Sequence, residues 1–160
     1  MIITHPIPPF FDKDSEILIL GSFPSVKSRE AQFFYGHPQN RFWRVTASIF
    51  ECEVPVATDE KMQFLKKNKI ALWDVISSCE ITGSADSTIK NAKPNDLSVI
   101  MSNAPVEKIF INGKTAWKYF KKFSKSELLA KAAVLPSTSP ANASFSTERL
   151  IDEWKVIRLH

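Results

Sequence analysis

The amino-acid sequence predicts an α/β fold, a three-layer α/β/α sandwich on a mainly parallel four-stranded sheet. Four apolar runs, at 16–20, 70–76, 106–113 and 132–135, alternate along the chain with segments of helical character. Runs such as Ile17-Leu18-Ile19-Leu20 lack polar alternation, which is typical of parallel strands buried on both faces. Because strands that alternate with helices favour a layered α/β domain, we expect a single domain over residues 1–160.

The segments between the apolar runs predict the remaining elements. Residues 1–15 contain three prolines and are expected to form an irregular arm. Residues 24–40 and 77–94 are expected to be long crevice loops, the first with a short helix near 27–34. Longer helices are expected at 41–51, from Asp59 to the basic segment at 66–69, and at 94–103, 114–124 and 147–155, with Ser146 as the last N-cap.

The composition is typical of a globular protein, with 44% hydrophobic and 24% charged residues among 160. No apolar run approaches the ~20 residues of a membrane span, and the N-terminus lacks the features of a signal peptide. Cys52 and Cys79 are too few for a disulfide framework or zinc site, and we expect both in the core. No nucleotide-binding glycine motif is present. These features predict a cytoplasmic monomer with no membrane association, metal or organic cofactor.

Positive charge is concentrated in the second half of the chain. Residues 81–160 carry twelve Lys and Arg against seven Asp and Glu, whereas residues 1–80 carry nine against ten. The net charge of +4 favours an anionic partner, nucleic acid first. Lys121 and Lys122, on the helix expected at 114–124, are candidates for phosphate contacts, although a lysine-rich face that meets only water would account for the same excess.

Two segments predict a concave polar and aromatic pocket. Gly21-Ser22-Phe23-Pro24-Ser25 follows the first apolar run, and ligands of open parallel sheets bind beyond the carboxyl ends of the strands. The block from Tyr35 to Trp43, with the sequence Tyr-Gly-His-Pro-Gln-Asn-Arg-Phe-Trp, lies directly before a predicted helix. Ser22 or Ser25 with His37 would also suit a small serine esterase, although the motif Gly-x-Ser-x-Gly is absent.

These motifs resemble those of the uracil-DNA glycosylase superfamily. The resemblance includes Gly21 to Pro24, the Tyr35 to Trp43 block and the turn Leu135-Pro136-Ser137-Thr138-Ser139-Pro140, and it extends over most of the chain. It is strongest for the hypoxanthine-DNA (deoxyinosine) glycosylase branch, while the spacing from Gly21 to Trp43 is also similar to that of mismatch-specific uracil glycosylases. It implies a monofunctional DNA glycosylase that removes hypoxanthine, and secondarily uracil, to leave an abasic site.

Phe23 departs from the pattern of the superfamily. Mismatch-specific enzymes have asparagine at this position and other branches have aspartate, whereas phenylalanine cannot orient water or accept a proton. In the hypoxanthine branch the asparagine of the His-Pro-x-Asn-Arg-Phe-Trp block is taken to act instead, so the resemblance implies Asn40 as the catalytic residue. Its neutral amide would hold water below the sugar or donate to a base oxygen. Alternatively, Asn40 only caps the following helix.

The resemblance also implies a base pocket and a DNA-binding edge. A glycosylase must flip its nucleotide out of the duplex and stack the base, and Tyr35, or else Phe23, would supply the stacking ring. The expected base-binding residues are Gly21, Ser22, Phe23, Pro24, Tyr35 and His37. The expected DNA-binding residues are Ser25, Ser137, Thr138, Ser139, Pro140, Lys121 and Lys122. The chief alternative is a module that binds nucleic acid in the same pocket without catalysis.

Overall fold

The structure, a computed structural model, describes residues 1–158. Its strands are β1 (Ile2–Thr4), β2 (Ile17–Gly21), β3 (Ile70–Asp74), β4 (Ile76–Glu80), β5 (Lys90–Pro94), β6 (Lys108–Asn112) and β7 (Ala132–Leu135). Four of them form a sheet of order β3-β2-β6-β7 in which every neighbouring pair is parallel. The predicted α/β class is therefore confirmed, with all four predicted strands in the sheet.

The two central apolar runs form the most deeply buried strands. Every residue of β2 and of β3 is buried, as expected for a parallel sheet covered on both faces. The register pairs Gly21 with Asp74 and Leu20 with Ile111, while Asn112 pairs with Leu135. The carboxyl ends of these strands therefore lie side by side at one edge of the sheet.

Helices flank this sheet. They are α1 (Val26–Ala31), α2 (Phe42–Ile49), α3 (Thr58–Lys67), α4 (Ser98–Met101), α5 (Lys114–Phe123), α6 (Ser126–Leu129) and α7 (Thr147–Trp154), with short 3₁₀ helices at Asp86–Thr88 and Lys155–Ile157. Trp154 is fully buried, and its indole N–H donates to the Pro136 carbonyl at 2.9 Å. Its ring meets the Phe42 ring edge to face with centroids 5.9 Å apart. The end of α7 thus joins the turn after β7 to the start of α2.

A second, antiparallel sheet corrects two expectations. The segment 77–94 is not a loop but contains β4 and β5, and the N-terminal arm contributes β1, in the order β1-β4-β5. The residues of β5 are largely exposed and polar, so this sheet lacks the apolar pattern that marks a buried strand. Backbone pairing defines it instead, as in the bond from His5 N–H to the Ser77 carbonyl at 2.7 Å.

Two further findings concern the sequence expectations. Cys79 is buried as predicted, but Cys52 is exposed because it lies in the turn after α2 rather than in a core element. Across residues 1–158, no helix has the length and apolar character needed to cross a membrane.

Candidate active site

The candidate site lies where β2, β3 and β6 end. Gly21, Asp74 and Asn112 are the last residues of these strands, and all three are buried. A Cβ atom on Gly21 would lie 2.6 Å from Asp74 Oδ1 and 3.5 Å from the Tyr35 hydroxyl oxygen. Since 2.6 Å is shorter than a van der Waals contact, the absence of a side chain at Gly21 lets these polar groups approach one point.

Asn40 is held by a hydrogen-bond chain that begins at Asn112. The Thr138 backbone N–H donates to Asn112 Oδ1, and Asn112 Nδ2 donates to Thr138 Oγ1, both at 3.0 Å. Thr138 Oγ1 then donates to Asn40 Oδ1 at 2.9 Å. The Phe42 backbone N–H donates to the same Asn40 oxygen at 2.9 Å. The end of β6 is thereby connected to the segment before α2.

Donor chemistry fixes the orientation of both amides. A backbone N–H can only donate, so the Thr138 and Phe42 N–H groups identify the acceptor oxygens of Asn112 and Asn40. Asn40 Oδ1 accepts two hydrogen bonds, whereas Asn40 Nδ2 has no hydrogen-bond partner in the described part of the chain. Asn40 therefore caps the first residue of α2 with its oxygen and leaves its two N–H donors free.

Tyr35 directs its hydroxyl toward Gly21. Its ring stacks on Phe42 with centroids 4.0 Å apart, and the hydroxyl is buried without a hydrogen-bond partner among residues 1–158. Burial, and then the negative charge of Asp74, raise the pKa of Tyr35 far above its ordinary value. The nearby Asn112 side chain lowers the pKa of Tyr35, but it does not form a hydrogen bond with the hydroxyl. Tyr35 thus keeps its proton, and Phe42 covers one face of its ring.

An Asp–His pair lies behind Gly21. His5 Nε2 and Asp74 Oδ2 are 2.7 Å apart, with side chains 3% and 6% exposed. The Ile7 backbone N–H donates to His5 Nδ1 at 3.2 Å, so His5 carries its proton on Nε2 and donates it to Asp74. Phe23 packs edge-on against His5, with centroids 5.8 Å apart, and is only 7% exposed. Phe23 therefore offers little ring surface to a base.

Ser22 and Ser25, in the turn after β2, form hydrogen bonds with residues other than His37. Ser22 Oγ donates to Asp86 Oδ1 at 3.0 Å, and Ser25 Oγ caps α1 by accepting the Ser28 N–H at 3.1 Å. Asp86 is exposed as a whole residue, but its carboxyl group is desolvated. This desolvation, and to a smaller extent the negative charge of Asp74, raises the pKa of Asp86, whereas the hydrogen bond from Ser22 lowers it. These contacts give the serine esterase alternative no catalytic pair.

A groove of about 200 Å³ opens beside Asn40. His37 lines it and accepts the Gln39 N–H on Nδ1 at 3.1 Å, a contact that shapes the turn. The Lys61 ammonium lies 5.1 Å from the centre of the Trp43 ring, and burial lowers the pKa of Lys61. The groove therefore has aromatic and cationic walls next to the free amide of Asn40.

The turn after β7 is built from local hydrogen bonds. Ser137 Oγ accepts the Ser139 N–H at 3.1 Å, and Ser139 Oγ accepts the Ala141 N–H at 3.2 Å. Pro140 is exposed, whereas Thr138 is fully buried. The Thr138 hydroxyl faces inward and holds Asn40, so the predicted contact of this turn with DNA would involve the more accessible Ser137, Ser139 and Pro140.

Lys121 and Lys122 are exposed on the last turn of α5. The helix begins directly after β6, so at about 1.5 Å per residue these lysines lie roughly 10 Å from the site along its axis. Any phosphate contacts from these lysines would therefore lie away from the candidate site. Among the described residues, no group of three or more His, Cys, Asp and Glu side chains could hold a metal ion.

Comparison with known proteins identifies the family. The model of the Uracil DNA glycosylase superfamily matches residues 8–158. The chain belongs to this superfamily. A curated hypoxanthine DNA glycosylase of Methanosarcina acetivorans is 38% identical over 161 residues, covering 99% of this chain and 100% of the relative. A second, from Methanosarcina barkeri, is 38% identical over 114 residues, covering 70% of this chain and 72% of the relative.

The superfamily fold is also found in a solved structure. A solution NMR structure of a candidate uracil DNA glycosylase from Methanosarcina acetivorans aligns with a TM-score of 0.83 and 37% identity. The alignment covers 99% of this chain and 98% of the other. Family membership confirms the resemblance inferred from the motifs, whereas the roles of individual site residues stay predictions.

Sequence reasoning missed four polar residues that the structure places at this candidate site. Asp74 and Asn112 had a usable signal, because each is a polar residue in an otherwise apolar run that was predicted to be a buried strand. Asp86 lay in a segment that was interpreted as a loop. His5 had no signal, since its partner Asp74 is 69 residues away in the sequence.

The unpartnered hydroxyl of Tyr35 gives a first prediction. Tyr35→Phe removes a buried polar group without a partner, so we expect the free energy of unfolding to stay equal or increase. Tyr35→Ala removes the ring stacked on Phe42 and should cost about 3 kcal/mol. Urea denaturation of the three proteins measures both effects. A decrease of more than about 1 kcal/mol in Tyr35→Phe would indicate that the hydroxyl has a partner in solution.

Proposed function

We propose that this protein is a monofunctional DNA glycosylase that hydrolyses the N-glycosidic bond of deaminated bases, hypoxanthine first and uracil second. The product is an abasic site. Membership of the uracil DNA glycosylase superfamily and two relatives named hypoxanthine DNA glycosylase support this class of reaction. The observation that carries the proposal for this chain is the Asn40 amide, whose oxygen is bound twice and whose N–H donors face no partner within residues 1–158.

The orientation of Asn40 favours one chemical role. Cleavage of the N-glycosidic bond leaves negative charge on the departing base and positive charge on the sugar. A fixed N–H donor stabilises the departing base, and because an amide does not titrate, it does so at every working pH. The Asn40 oxygen is already occupied and is poorly suited to orient water. We therefore assign Asn40 to leaving-group stabilisation rather than to water activation.

The surrounding residues suit a flipped nucleotide. Tyr35 presents an aromatic ring and a protonated hydroxyl beside Gly21, and the groove next to Asn40 has aromatic walls. Base flipping needs such a pocket, with stacking and hydrogen bonds to the base edge. Ser137, Ser139 and Pro140 lie on the turn next to Asn40, and the two serines remain partly accessible for contacts with the backbone of DNA. We expect the protein to act as a monomer in the cytoplasm.

Base release from defined duplexes tests the proposal. Purified protein is incubated with end-labelled duplexes that carry hypoxanthine, uracil or xanthine, and abasic sites are revealed by alkaline cleavage. Cleavage at hypoxanthine is expected to be fastest. Tight binding to these duplexes without base release would instead identify a non-catalytic binding module.

Two substitutions at Asn40 separate catalysis from helix capping. Asn40→Ala should lower the single-turnover rate by roughly 10²–10³-fold, the effect of removing one donor to a transition state. It should also cost about 1 kcal/mol of stability because α2 then has no side-chain cap. Asn40→Asp retains both acceptor contacts but has no amide N–H, so it should remain folded and be slowed by a similar factor. A folded Asn40→Asp variant that cleaves hypoxanthine at the wild-type rate would contradict amide donation.

The lysines of α5 give a prediction about DNA affinity. Each lysine that binds a phosphate contributes roughly 0.9 to the slope of log affinity against log salt, so Lys121→Ala with Lys122→Ala should reduce this slope by up to about 2. The weakening should be the same for all sequences, because phosphates carry no base identity. Lys66→Ala with Lys67→Ala, an equally exposed pair on α3, is the matched control. If both double variants show the same slope of log affinity against log salt, the α5 lysines face only solvent and do not contact phosphates.

A further inference from the structure

Hydrolysis of the glycosidic bond needs a group that accepts a proton from the attacking water, and Asn40 does not supply it. The Asn40 oxygen already accepts hydrogen bonds from Thr138 and Phe42, and its amide nitrogen only donates. Phe23, in the turn after β2, is apolar and only 7% exposed. The acceptor for water therefore has to come from another segment of the site.

Asp86 brings a carboxyl group to the carboxyl ends of the parallel strands from the loop between β4 and β5. Ser22, the residue directly after β2, donates its hydroxyl to Asp86 Oδ1 at 3.0 Å. The Thr115 side chain, at the start of α5, also stabilises the charged carboxylate, and the charge of Asp74 at the end of β3 acts on it. Asp86 therefore lies at the same edge of the sheet as the hydrogen-bond chain that holds Asn40.

The loop that carries Asp86 is fastened to the start of α1. The Val26 backbone N–H donates to Ser84 Oγ at 2.9 Å, and the Arg29 guanidinium donates to the Gly83 carbonyl at 2.8 Å. A catalytic group has to be held in a fixed position by its surroundings. These bonds, together with the bond from the turn after β2, give the Asp86 carboxyl group such support.

The environment of the Asp86 carboxyl group suits a general base. The residue as a whole is exposed, so water reaches it, whereas desolvation of the carboxyl group and the charge of Asp74 raise its pKa. A raised pKa makes the carboxylate a stronger proton acceptor. Ser22 and Thr115 use only part of the about four acceptor sites of a carboxylate, so sites remain for water. Asp74, in contrast, has a side chain only 6% exposed and is bound to His5.

We propose that Asp86 is the general base of the reaction and takes a proton from the water that attacks the sugar. The water oxygen bonds to the anomeric carbon while the bond from this carbon to the base nitrogen breaks, and the electron pair of that bond leaves with the base. Asp86 then releases its proton to solvent, and solvent protonates the departed base. The inference rests on the glycosylase function proposed above, in which Asn40 stabilises the departing base. Ser22 is a positioning residue that orients the Asp86 carboxylate.

Single-turnover cleavage of a hypoxanthine duplex by wild-type protein, Asp86→Asn and Asp14→Asn tests the inference. Asparagine keeps an oxygen for the Ser22 hydroxyl but does not take up a proton. Asp86→Asn should therefore remain folded and cleave roughly 10²–10⁴-fold more slowly at saturating protein, the usual contribution of a general base. Asp14, an exposed aspartate before β2 at the opposite edge of the sheet, is the matched control for loss of one negative charge, and Asp14→Asn should keep the wild-type rate.

Two results of this experiment would overturn the inference. One is a folded Asp86→Asn variant that cleaves at the wild-type rate. The other is a variant whose rate recovers fully when the protein concentration is raised, because Asp86 would then contribute to DNA binding and not to the chemical step. Ser22→Ala should slow cleavage less than Asp86→Asn and should add nothing in the double variant, since Ser22 acts only through Asp86.

The pH dependence of the rate separates a base from a structural contact. Because only the ionised carboxylate accepts a proton, wild-type cleavage should decrease as the pH falls through the raised pKa of Asp86. The residual activity of Asp86→Asn should lack this decrease. The other charged or titratable groups around the carboxyl group are Asp74, its partner His5, Arg29, Cys79 and Lys114. These groups are present in both proteins, so the difference between the two profiles reports Asp86.

Identical pH profiles for wild-type protein and Asp86→Asn would overturn the inference. If Asp86→Asn fails to fold, as judged by circular dichroism, the wild-type profile alone decides. A wild-type rate that stays constant down to about pH 4, near the ordinary pKa of aspartate, would contradict a base whose pKa is raised.

Failure of the inference is distinguishable from failure of the proposed function. Wild-type protein that cleaves hypoxanthine, together with an equally active Asp86→Asn variant, would overturn the role of Asp86 and leave the glycosylase function supported. Wild-type protein that releases no base from hypoxanthine, uracil or xanthine duplexes would overturn the function and the inference together.

Discussion

The hydrogen bond from Thr138 Oγ1 to Asn40 Oδ1, 2.9 Å long, joins two segments that lie 98 residues apart in the sequence. Thr138 is itself held by Asn112 at the end of β6, so the orientation of Asn40 depends on the rigid sheet rather than on a loop. The Arg41 backbone N–H donates to the Thr138 carbonyl at 3.1 Å and gives the two segments a second connection. One asparagine can thus cap α2 with its oxygen and offer its N–H groups to a ligand.

The buried turn after β2 explains how the site functions without a polar residue at Phe23. Phe23 packs against His5, which in turn binds Asp74. The aromatic side chain therefore supports the buried Asp–His pair instead of taking part in chemistry. The polar groups near this turn are instead the buried Asp74 carboxylate and the Tyr35 hydroxyl, both close to Gly21.

Continuous apolar runs were sufficient to predict the parallel sheet, because burial on both faces demands them in any such strand. The antiparallel sheet was missed because strands such as β5 are polar and depend on backbone pairing. The Tyr35 to Trp43 block indicated Asn40, but its amide orientation depends on Thr138, a contact that only the folded chain reveals. Similarly, the pairing of His5 with Asp74 spans 69 residues and leaves no local pattern in the sequence.

A double-mutant cycle between Thr138 and Asn40 tests the central claim most directly. Thr138→Val retains the shape of the side chain but removes the hydroxyl that orients the Asn40 amide, so we expect single-turnover cleavage of hypoxanthine to fall about tenfold. If Thr138 acts only through Asn40, adding Thr138→Val to Asn40→Ala should change the rate by no more than about twofold. Rate decreases that multiply in the folded double variant would contradict the claim that this hydrogen bond orients the catalytic amide.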